Sequence, residues 1–274
     1  MDKGTLYVVA TPIGNLGDIT LRALDVLAQA DVVAAEDTRR SGLLLKHYGI
    51  KTRLLSYHEH SSDKKDDKLI ALLLAGKDVA LVSDAGTPLI SDPGYPVVKA
   101  ARAAGITVVS VPGACAAVTA LAAAAVGDGR FVFWGFLDSK SGPRKKQLAQ
   151  IKEMGLPAVL YESPHRLVAM LKDVLIVCGE ETSVTIAREL TKIYEEYWTG
   201  SASDAVQKYA GEEPRGEFVL IVECSLEETE ISEDEVRAML RECEEKNMTK
   251  KDAVAYVAGR LHLPKNMVYK ISIG

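Results

Sequence analysis

Short apolar runs alternate with helix-patterned segments from the start of the chain. Leu6 to Ala10 is followed by Leu21 to Ala30, Val32 to Ala35 by Arg39 to His47, and Arg53 to Ser56 by Lys65 to Ala75. Alternation of this kind leaves few folds open and predicts an α/β sheet. It continues with Val79 to Ser83, a Gly- and Pro-rich loop, a helix at Tyr95 to Ala103, a strand at Thr107 to Val111 and an Ala-rich helix at Ala114 to Ala125. Most of these strands are unbroken apolar runs, as expected where helices cover both faces of a largely parallel sheet.

A second series follows at Phe131 to Gly135, Pro157 to Tyr161, Ser183 to Ala187 and Phe218 to Glu223, with helices between the strands. The best-marked helix starts at Ser163, read as N-cap, with Pro164 in the first helical position. The wider strand spacing puts a boundary near residues 112 to 125, giving an N-terminal α/β domain at 1–113 and a second at 114–223. Beyond Glu223 only helical patterns remain, and residues 224–274 read as a separate helical module. Its helices begin with capping boxes at Ser232 with Glu235 and at Thr249 with Asp252. Lys251 to Ile273 has the spacing of a helix-turn-helix, turning near His262 to Pro264; the same spacing also suits a plain bundle packed on the sheet or on a partner subunit.

With 274 residues, 47% of them hydrophobic, the chain has material for more than one core. The net charge of -5 is unevenly spread: ten acidic residues between Glu223 and Lys246 face only Arg237, Arg241 and Lys246. The remainder is nearly neutral and has room for local basic clusters. No signal-peptide pattern is present, no apolar stretch is long enough to span a bilayer, and the four cysteines form no CxxC pair. A cytoplasmic protein with reduced, structural thiols is expected. His47, His58, His60, His165 and His262 lack metal-ligand spacing, and no metal is expected.

Three loops of small residues each follow a predicted strand: Ala10 to Gly17, Ser83 to Gly94, and Val111 to Ala117. Ligands of open α/β sheets bind outside the carboxyl ends of the strands, where glycine lets backbone approach closely. Any one such loop also reads as a tight strand-to-helix turn; three together favour a ligand cleft. None fits GxxxxGK[ST] or GxGxxG with a following acidic residue, which argues against a P-loop nucleotide or a nicotinamide dinucleotide.

The stretches Ala10-Thr11-Pro12-Ile13-Gly14-Asn15-Leu16, Ala35-Glu36-Asp37-Thr38-Arg39, Ser83 to Gly94, Tyr161-Glu162-Ser163-Pro164-His165-Arg166 and Ala187-Arg188-Glu189-Leu190-Thr191-Lys192 resemble the ribosomal RNA small subunit methyltransferase I family of the tetrapyrrole methylase superfamily. The resemblance runs over essentially the whole chain. It implies a two-domain α/β fold with S-adenosylmethionine in the cleft between domains, a homodimer, and 2'-O-methylation of a cytidine ribose in 16S rRNA of the small subunit. Carried over by position, cofactor contacts fall on Pro12, Ile13 and Gly14, then on Asp84, Ala85, Gly86, Thr87 and Ile90. Cys115 and Ala116 follow, with Tyr161 and Glu162 closing the cleft from the second domain. One departure is Asp138, where proline is expected; it bears on the shape of the loop before Arg144.

Methyl transfer to a ribose hydroxyl needs alignment and a base within reach of the proton. Candidates are Glu36, Asp37, His58, Glu59, Glu162 and His165, with Glu36 favoured and Asp37 its nearest rival. The same pair also reads as a helix cap at Asp37 and an arginine partner at Glu36. For RNA phosphates the densest cationic cluster is Lys140, Arg144, Lys145 and Lys146, joined by Arg39, Arg40, Arg166, Arg188 and Lys192. A charge run of this kind is also an ordinary solvated face. Two rivals stand beside this reading: a methylase of tetrapyrroles or other small molecules, and a non-catalytic RNA-binding or ribosome-assembly factor.

Overall fold

The computed structural model describes residues 2–58, 63–211, 214–224, 233–246, 248–261 and 263–273. The chain divides into two compact units, Met1–Cys224 and Ser225–Gly274. The first unit holds two five-stranded sheets.

The first sheet is built from β1 (Thr5–Val9), β2 (Val32–Ala35), β3 (Arg53–Ser56), β4 (Val79–Val82) and β5 (Thr107–Val111), in the order β3-β2-β4-β1-β5. Every pairing in it is parallel. Helices α1 (Leu21–Gln29), α2 (Thr38–His47), α3 (Asp63–Leu74) and α4 (Tyr95–Ala103) make the crossovers. Ala23 and Leu27 of α1 and Leu45 of α2 pack on one face against Val9, Val33 and Ala80. Leu69 and Leu73 of α3 with Val97 and Ala101 of α4 cover the other, against Leu6 and Leu81. Coverage on both faces is why β2 and β4 are apolar at every position. Each fully buried leucine here contributes about 1.5–3 kcal/mol of burial.

The strand order brings three loops far apart in sequence side by side. β4, β1 and β5 are consecutive neighbours and all run the same way, so the segments after Val82, Val9 and Val111 emerge together at one edge.

The second sheet comprises β6 (Val132–Phe136), β7 (Ala158–Glu162), β8 (Ser183–Arg188), β9 (Glu196–Ser201) and β10 (Phe218–Glu223), ordered β6-β7-β10-β8-β9. Only the β6–β7 pair is parallel. Sequence reading missed β9, whose Glu-Tyr-Trp-Thr-Gly-Ser run pairs along one side only and mixes polar with aromatic residues. Helices α6 (Ser141–Met154), α7 (Pro164–Cys178) and α8 (Ala202–Tyr209) cover one face, and α5 (Ala116–Ala124) covers the other through Ala117 and Ala120.

Pro164 does open α7, but Ser163 caps it by position alone, because its hydroxyl makes no capping hydrogen bond. That corrects the expected side-chain cap: the hydroxyl lies 3.5 Å from Glu162 Oε1 instead.

The second unit contains α9 (Glu233–Glu245), α10 (Lys250–Arg260) and α11 (Lys265–Ile271) around Val236, Val257 and Val268. Thr249 caps α10, its hydroxyl oxygen accepting from the Asp252 amide at 3.2 Å. Ser232 of the first expected capping box and His262 of the expected turn lie outside the described residues, as do Glu59 and His60. Among the described residues no helix is long and apolar enough to cross a membrane.

Candidate functional site

The loops after β1 and β4 are joined backbone to backbone. The Thr11 amide donates to the Gly86 carbonyl at 2.8 Å and the Gly86 amide to the Thr11 carbonyl at 3.0 Å. Gly86 holds φ at +78°, and a Cβ there would come within 3.3 Å of Ile13. Thr87 ties this loop to the third, its hydroxyl donating to the Ala114 carbonyl at 3.0 Å. Gly113 completes the seam: a side chain there would meet the Cβ of Ala10 at 2.9 Å.

The second loop is strained at two non-glycine positions, with φ of +72° at Leu89 and +66° at Ser91. Left-handed backbone costs roughly 1–2 kcal/mol per residue for an L side chain. The Ser91 hydroxyl lies against Gly135 of β6, where a Cβ on Gly135 would collide with it. The loop of one sheet thereby seats on the first strand of the other.

Between the two sheets lies a cavity of about 370 Å³. Ile13, Asp84, Ala85 and Asp92 line it from the first sheet, and Phe136, Tyr161 and Glu162 from the second, with Ala116 at the start of α5. The Tyr161 hydroxyl accepts the Ala117 amide at 3.1 Å, which satisfies one of the free donors at the α5 N-terminus. Phe133 and Phe136 meet the same ring edge-on at 5.2 and 5.6 Å. Burial pushes the Tyr161 phenol above its usual range.

Glu162 is 2% exposed. Its Oε1 accepts the Ser163 amide at 2.8 Å and lies 3.1 Å from Arg166 Nε, whereas Oε2 is buried with no hydrogen-bond partner among the described residues. Burial raises its carboxyl, against the pull of the Ser163 amide and Arg166. Asp84 accepts the Asp37 amide at 2.9 Å and lies 3.6 Å from Arg40. Asp92 is half-buried; burial first, then the charges of Glu36 and Asp84, push its carboxyl up to about 6, although a hydrogen bond from Ser83 pulls the other way.

Of the expected base candidates, Glu36 ends the run that leads out of β2 and is felt by Asp92. Asp37 is the N-cap of α2, accepting the Arg39 amide at 2.8 Å, and pairs with the Arg39 guanidinium at 2.8 Å. The Arg39 side-chain hydrogen bond holds Asp37 down at about 2, which makes it a feeble base. His58, exposed beyond β3, is not among the residues lining this cavity, nor is exposed His165.

Among the expected cofactor contacts, Ile13, Asp84, Ala85, Ala116, Tyr161 and Glu162 line the cavity. Gly86 and Thr87 brace it through the hydrogen bonds already described. Gly14 instead faces the loop after β8: a Cβ on it would meet Lys192 Cγ at 2.6 Å and the Leu190 carbonyl at 3.0 Å. Pro12 lines an adjoining pocket with Ser41 and His47. Cys115 is the half-buried N-cap of α5, its thiol beside the Tyr161 hydroxyl, and Ile90 points outward.

The basic cluster needs correction at Arg144. This residue is 3% exposed, with Nη2 2.6 Å from Asp173 Oδ2 and Nη1 donating to the Ser139 carbonyl at 3.2 Å. The α6 turn that exposes Lys146 carries Arg144 inward, so it holds α6 to α7 and cannot grip phosphate. Lys145 is half-exposed, 3.6 Å from Asp173, and Arg39 stands 89% exposed.

Arg166 donates to the Leu137 carbonyl at 2.6 Å, and Arg188 to the Arg215 carbonyl at 2.8 Å. Lys192 lies 2.9 Å from both Glu189 and Glu217. These three are half-buried, whereas Arg39, Arg40 and Lys146 are exposed, Arg39 beside Asp37 and Arg40 beside Asp84. At Asp138 the backbone amide donates to Gln147 Oε1 at 2.8 Å and the carboxylate accepts the Lys140 amide at 2.8 Å. Proline has no amide hydrogen for the first bond, so aspartate builds this loop in a way proline cannot.

Sequence reading missed Asp92, Ser91 and Phe136, and the start of β10 at Phe218 and Val219, all of which line the cavity. Asp92 had a signal, since it sits inside the second small-residue loop; Phe218 and Val219 had none beyond their strand pattern.

The chain matches the sequence model of the Tetrapyrrole (Corrin/Porphyrin) Methylases over residues 5–206. It is 43% identical over 272 residues to a protein of Synechocystis sp. named Ribosomal RNA small subunit methyltransferase I, with 98% of each chain covered. Identity to the Haemophilus influenzae protein of the same name is 47% over 276 residues, covering 98% of this chain and 96% of the relative. Among solved structures, a diphthine synthase superposes with TM-score 0.65 at 13% identity, covering 81% of this chain and 90% of that one. The uroporphyrin-III C-methyl transferase of Thermus thermophilus, complexed with S-adenyl homocysteine, gives TM-score 0.58 at 17% identity, covering 80% and 97%. Identities this low speak for the fold alone.

Proposed function

The chain belongs to the ribosomal RNA small subunit methyltransferase I family of the tetrapyrrole methylases, and on that premise we propose that it transfers a methyl group from S-adenosylmethionine to the 2'-hydroxyl of a cytidine ribose in 16S rRNA of the small ribosomal subunit. The observation that carries this reading is the cavity between the sheets, walled by backbone-rich loops and holding a buried carboxylate oxygen, Glu162 Oε2, that has no hydrogen-bond partner among the described residues. An orphaned buried acceptor costs about 1–3 kcal/mol, which a donor on a bound molecule relieves.

The residues present fit the cofactor. Apolar walls at Ile13, Ala85 and Phe136 suit an aliphatic chain and a purine, and the carboxylates Asp84, Asp92 and Glu162 suit a cationic, amine-bearing molecule. When bound, S-adenosylmethionine supplies an electrophilic methyl group on a sulfonium. Glu162 and the Thr11–Gly86 loops would hold and orient it, and Tyr161, braced by Ala117, would close the wall that excludes water. Holding the hydroxyl in line behind the methyl carbon is the protein's main contribution to rate.

Exposed Arg39, Arg40 and Lys146, with half-exposed Lys145, supply cations for RNA phosphates. In the same reading, residues 1–113 and 114–223 are the two α/β domains flanking the cleft, 224–274 is an appended helical module, and the protein acts as a cytoplasmic homodimer.

The test is to incubate the protein with methyl-labelled S-adenosylmethionine and small subunits lacking the modification, then map the label by nuclease digestion and mass spectrometry. Label on a cytidine 2'-oxygen of 16S rRNA is expected. Label on a base, on a tetrapyrrole offered in competition, or on no RNA overturns the reading.

A further inference from the structure

We propose that the second unit binds ribosomal RNA through the concave face between α10 and α11, where three lysines gather to meet the phosphate backbone. The inference rests on the function proposed above for the identity of the RNA. It adds an interface on a part of the chain that the methyl-transfer cavity does not use.

The charges of this unit are sorted by helix. From Glu233 to Glu245, α9 carries six carboxylates and only two cations, Arg237 and Arg241. From Thr249 to Ile273 the balance reverses, with Lys250, Lys251, Arg260, Lys265 and Lys270 against Asp252 alone. Asp252 belongs to the N-terminal turn of α10, its Oδ2 accepting the Thr249 hydroxyl at 2.6 Å. All five cations are exposed. Among the described residues none of them makes an ion pair, whereas Arg237 lies 3.2 Å from Glu233.

Three of the five converge. Lys250 and Lys251 open α10 and Lys265 opens α11. The two helices pack through Val257, Ala258 and Val268, and that packing brings the three lysines to one open cavity of about 370 Å³. Its floor is apolar, made by Val254, Ala255 and Tyr269. The Lys250 ammonium lies over the Tyr269 ring, 5.9 Å from its centroid, which aims the charge without neutralising it.

This arrangement works against the stability of the unit. Like charges around one concavity repel, and the first turn of α10 is where the helix dipole disfavours cations. A polyanion laid over the face relieves both costs. Lysine meets phosphate as a point charge, and among the described residues no arginine, asparagine or glutamine lines the concavity to read a base edge. The contact is therefore with the backbone and independent of sequence: it holds the RNA and does not choose the nucleotide.

The experiment compares full-length wild type with two variants that remove equal charge from exposed positions. One is Lys251→Ala with Lys265→Ala at the concavity, and the other is Arg241→Ala with Lys246→Ala on and beside α9. Filter binding over a series of salt concentrations measures affinity for unmodified small subunits and for protein-free 16S rRNA. The concavity variant is expected to lose about two from the slope of log K against log salt and to bind both RNAs on the order of tenfold more weakly. Its KM for small subunits should rise with kcat kept, and calorimetry should show wild-type affinity for S-adenosylhomocysteine. The α9 variant should match wild type in every measurement. In wild type, bound rRNA should protect Lys250, Lys251 and Lys265 from acetylation by acetic anhydride while Lys246 stays reactive.

An unchanged slope in the concavity variant, an equal loss in the α9 variant, or unprotected lysines in wild type overturns the proposal. So does a loss confined to small subunits and absent with protein-free rRNA, which would make a ribosomal protein the partner. The acetylation experiment uses wild type and so decides even where a variant misfolds. Binding is read without turnover: wild type that binds through this face yet places no methyl on ribose overturns the function and leaves the interface standing. Wild type that methylates ribose, beside an unimpaired concavity variant, overturns only the interface.

Discussion

Arg144 and Asp173 meet in the interior with Nη2 2.6 Å from Oδ2, both side chains buried, and the ion pair fastens α6 to α7. Ser141 adds its hydroxyl to the other carboxylate oxygen at 2.9 Å. Removing the anion strands a guanidinium in low dielectric. Asp173→Ala is therefore expected to cost about 3–5 kcal/mol in urea unfolding. A cost below about 1 kcal/mol would mean that Arg144 escapes to solvent.

Lys146 and Arg39 lie on the surface and are expected to meet phosphate. Replacing either with alanine should reduce the slope of log K against log salt by about one for binding to the unmodified small subunit. Cofactor affinity should stay as in wild type. An unchanged slope in both variants would remove these cations from the RNA interface.

Gly135→Ala tests the contact between the sheets. The residue holds φ at +71°, and a methyl group there runs into the Ser91 hydroxyl. Backbone strain alone is worth roughly 1–2 kcal/mol, and the displaced loop carries the cavity wall with it. Calorimetry should show weaker binding of S-adenosylhomocysteine together with a lowered melting temperature. Wild-type binding in this variant would mean that the loop keeps its position without the contact.

Asp92 also ties stability to pH. Its carboxyl is raised from 3.8 to about 6 in the folded chain, so the folded state holds the proton more tightly than the unfolded state. Stability from this group is complete below about pH 4 and is lost as pH rises through 6. The melting temperature of Asp92→Asn relative to wild type should thus be similar at pH 4.5 and higher by about 2–4 °C at pH 8. A difference of the opposite sign at pH 8 would mean that the charged carboxylate is favourably paired.

The first sheet was legible because β2 and β4 are covered on both faces and show it as unbroken apolar runs, while Leu27, Leu69 and Val97 mark the helices between. The three small-residue loops were legible as a cleft because they follow strands, although their adjacency depends on the order β4-β1-β5, which no local pattern encodes. Strand β9 was hidden by its polar and glycine content. Arg144 was misread because one turn of α6 places it inward and Lys146 outward, and its partner Asp173 lies 29 residues away. Asp92 was overlooked for a similar reason: its surroundings of Ser83, Glu36 and Asp84 are assembled by the fold.

The reciprocal hydrogen bonds between Thr11 and Gly86 join two loops into a two-residue ladder while the chain is folding. The conformational entropy of these loops is lost then and need not be lost again on binding. Entry of a small molecule into the cleft should accordingly follow a single concentration-dependent phase, limited by diffusional encounter and desolvation with no separate loop-ordering step.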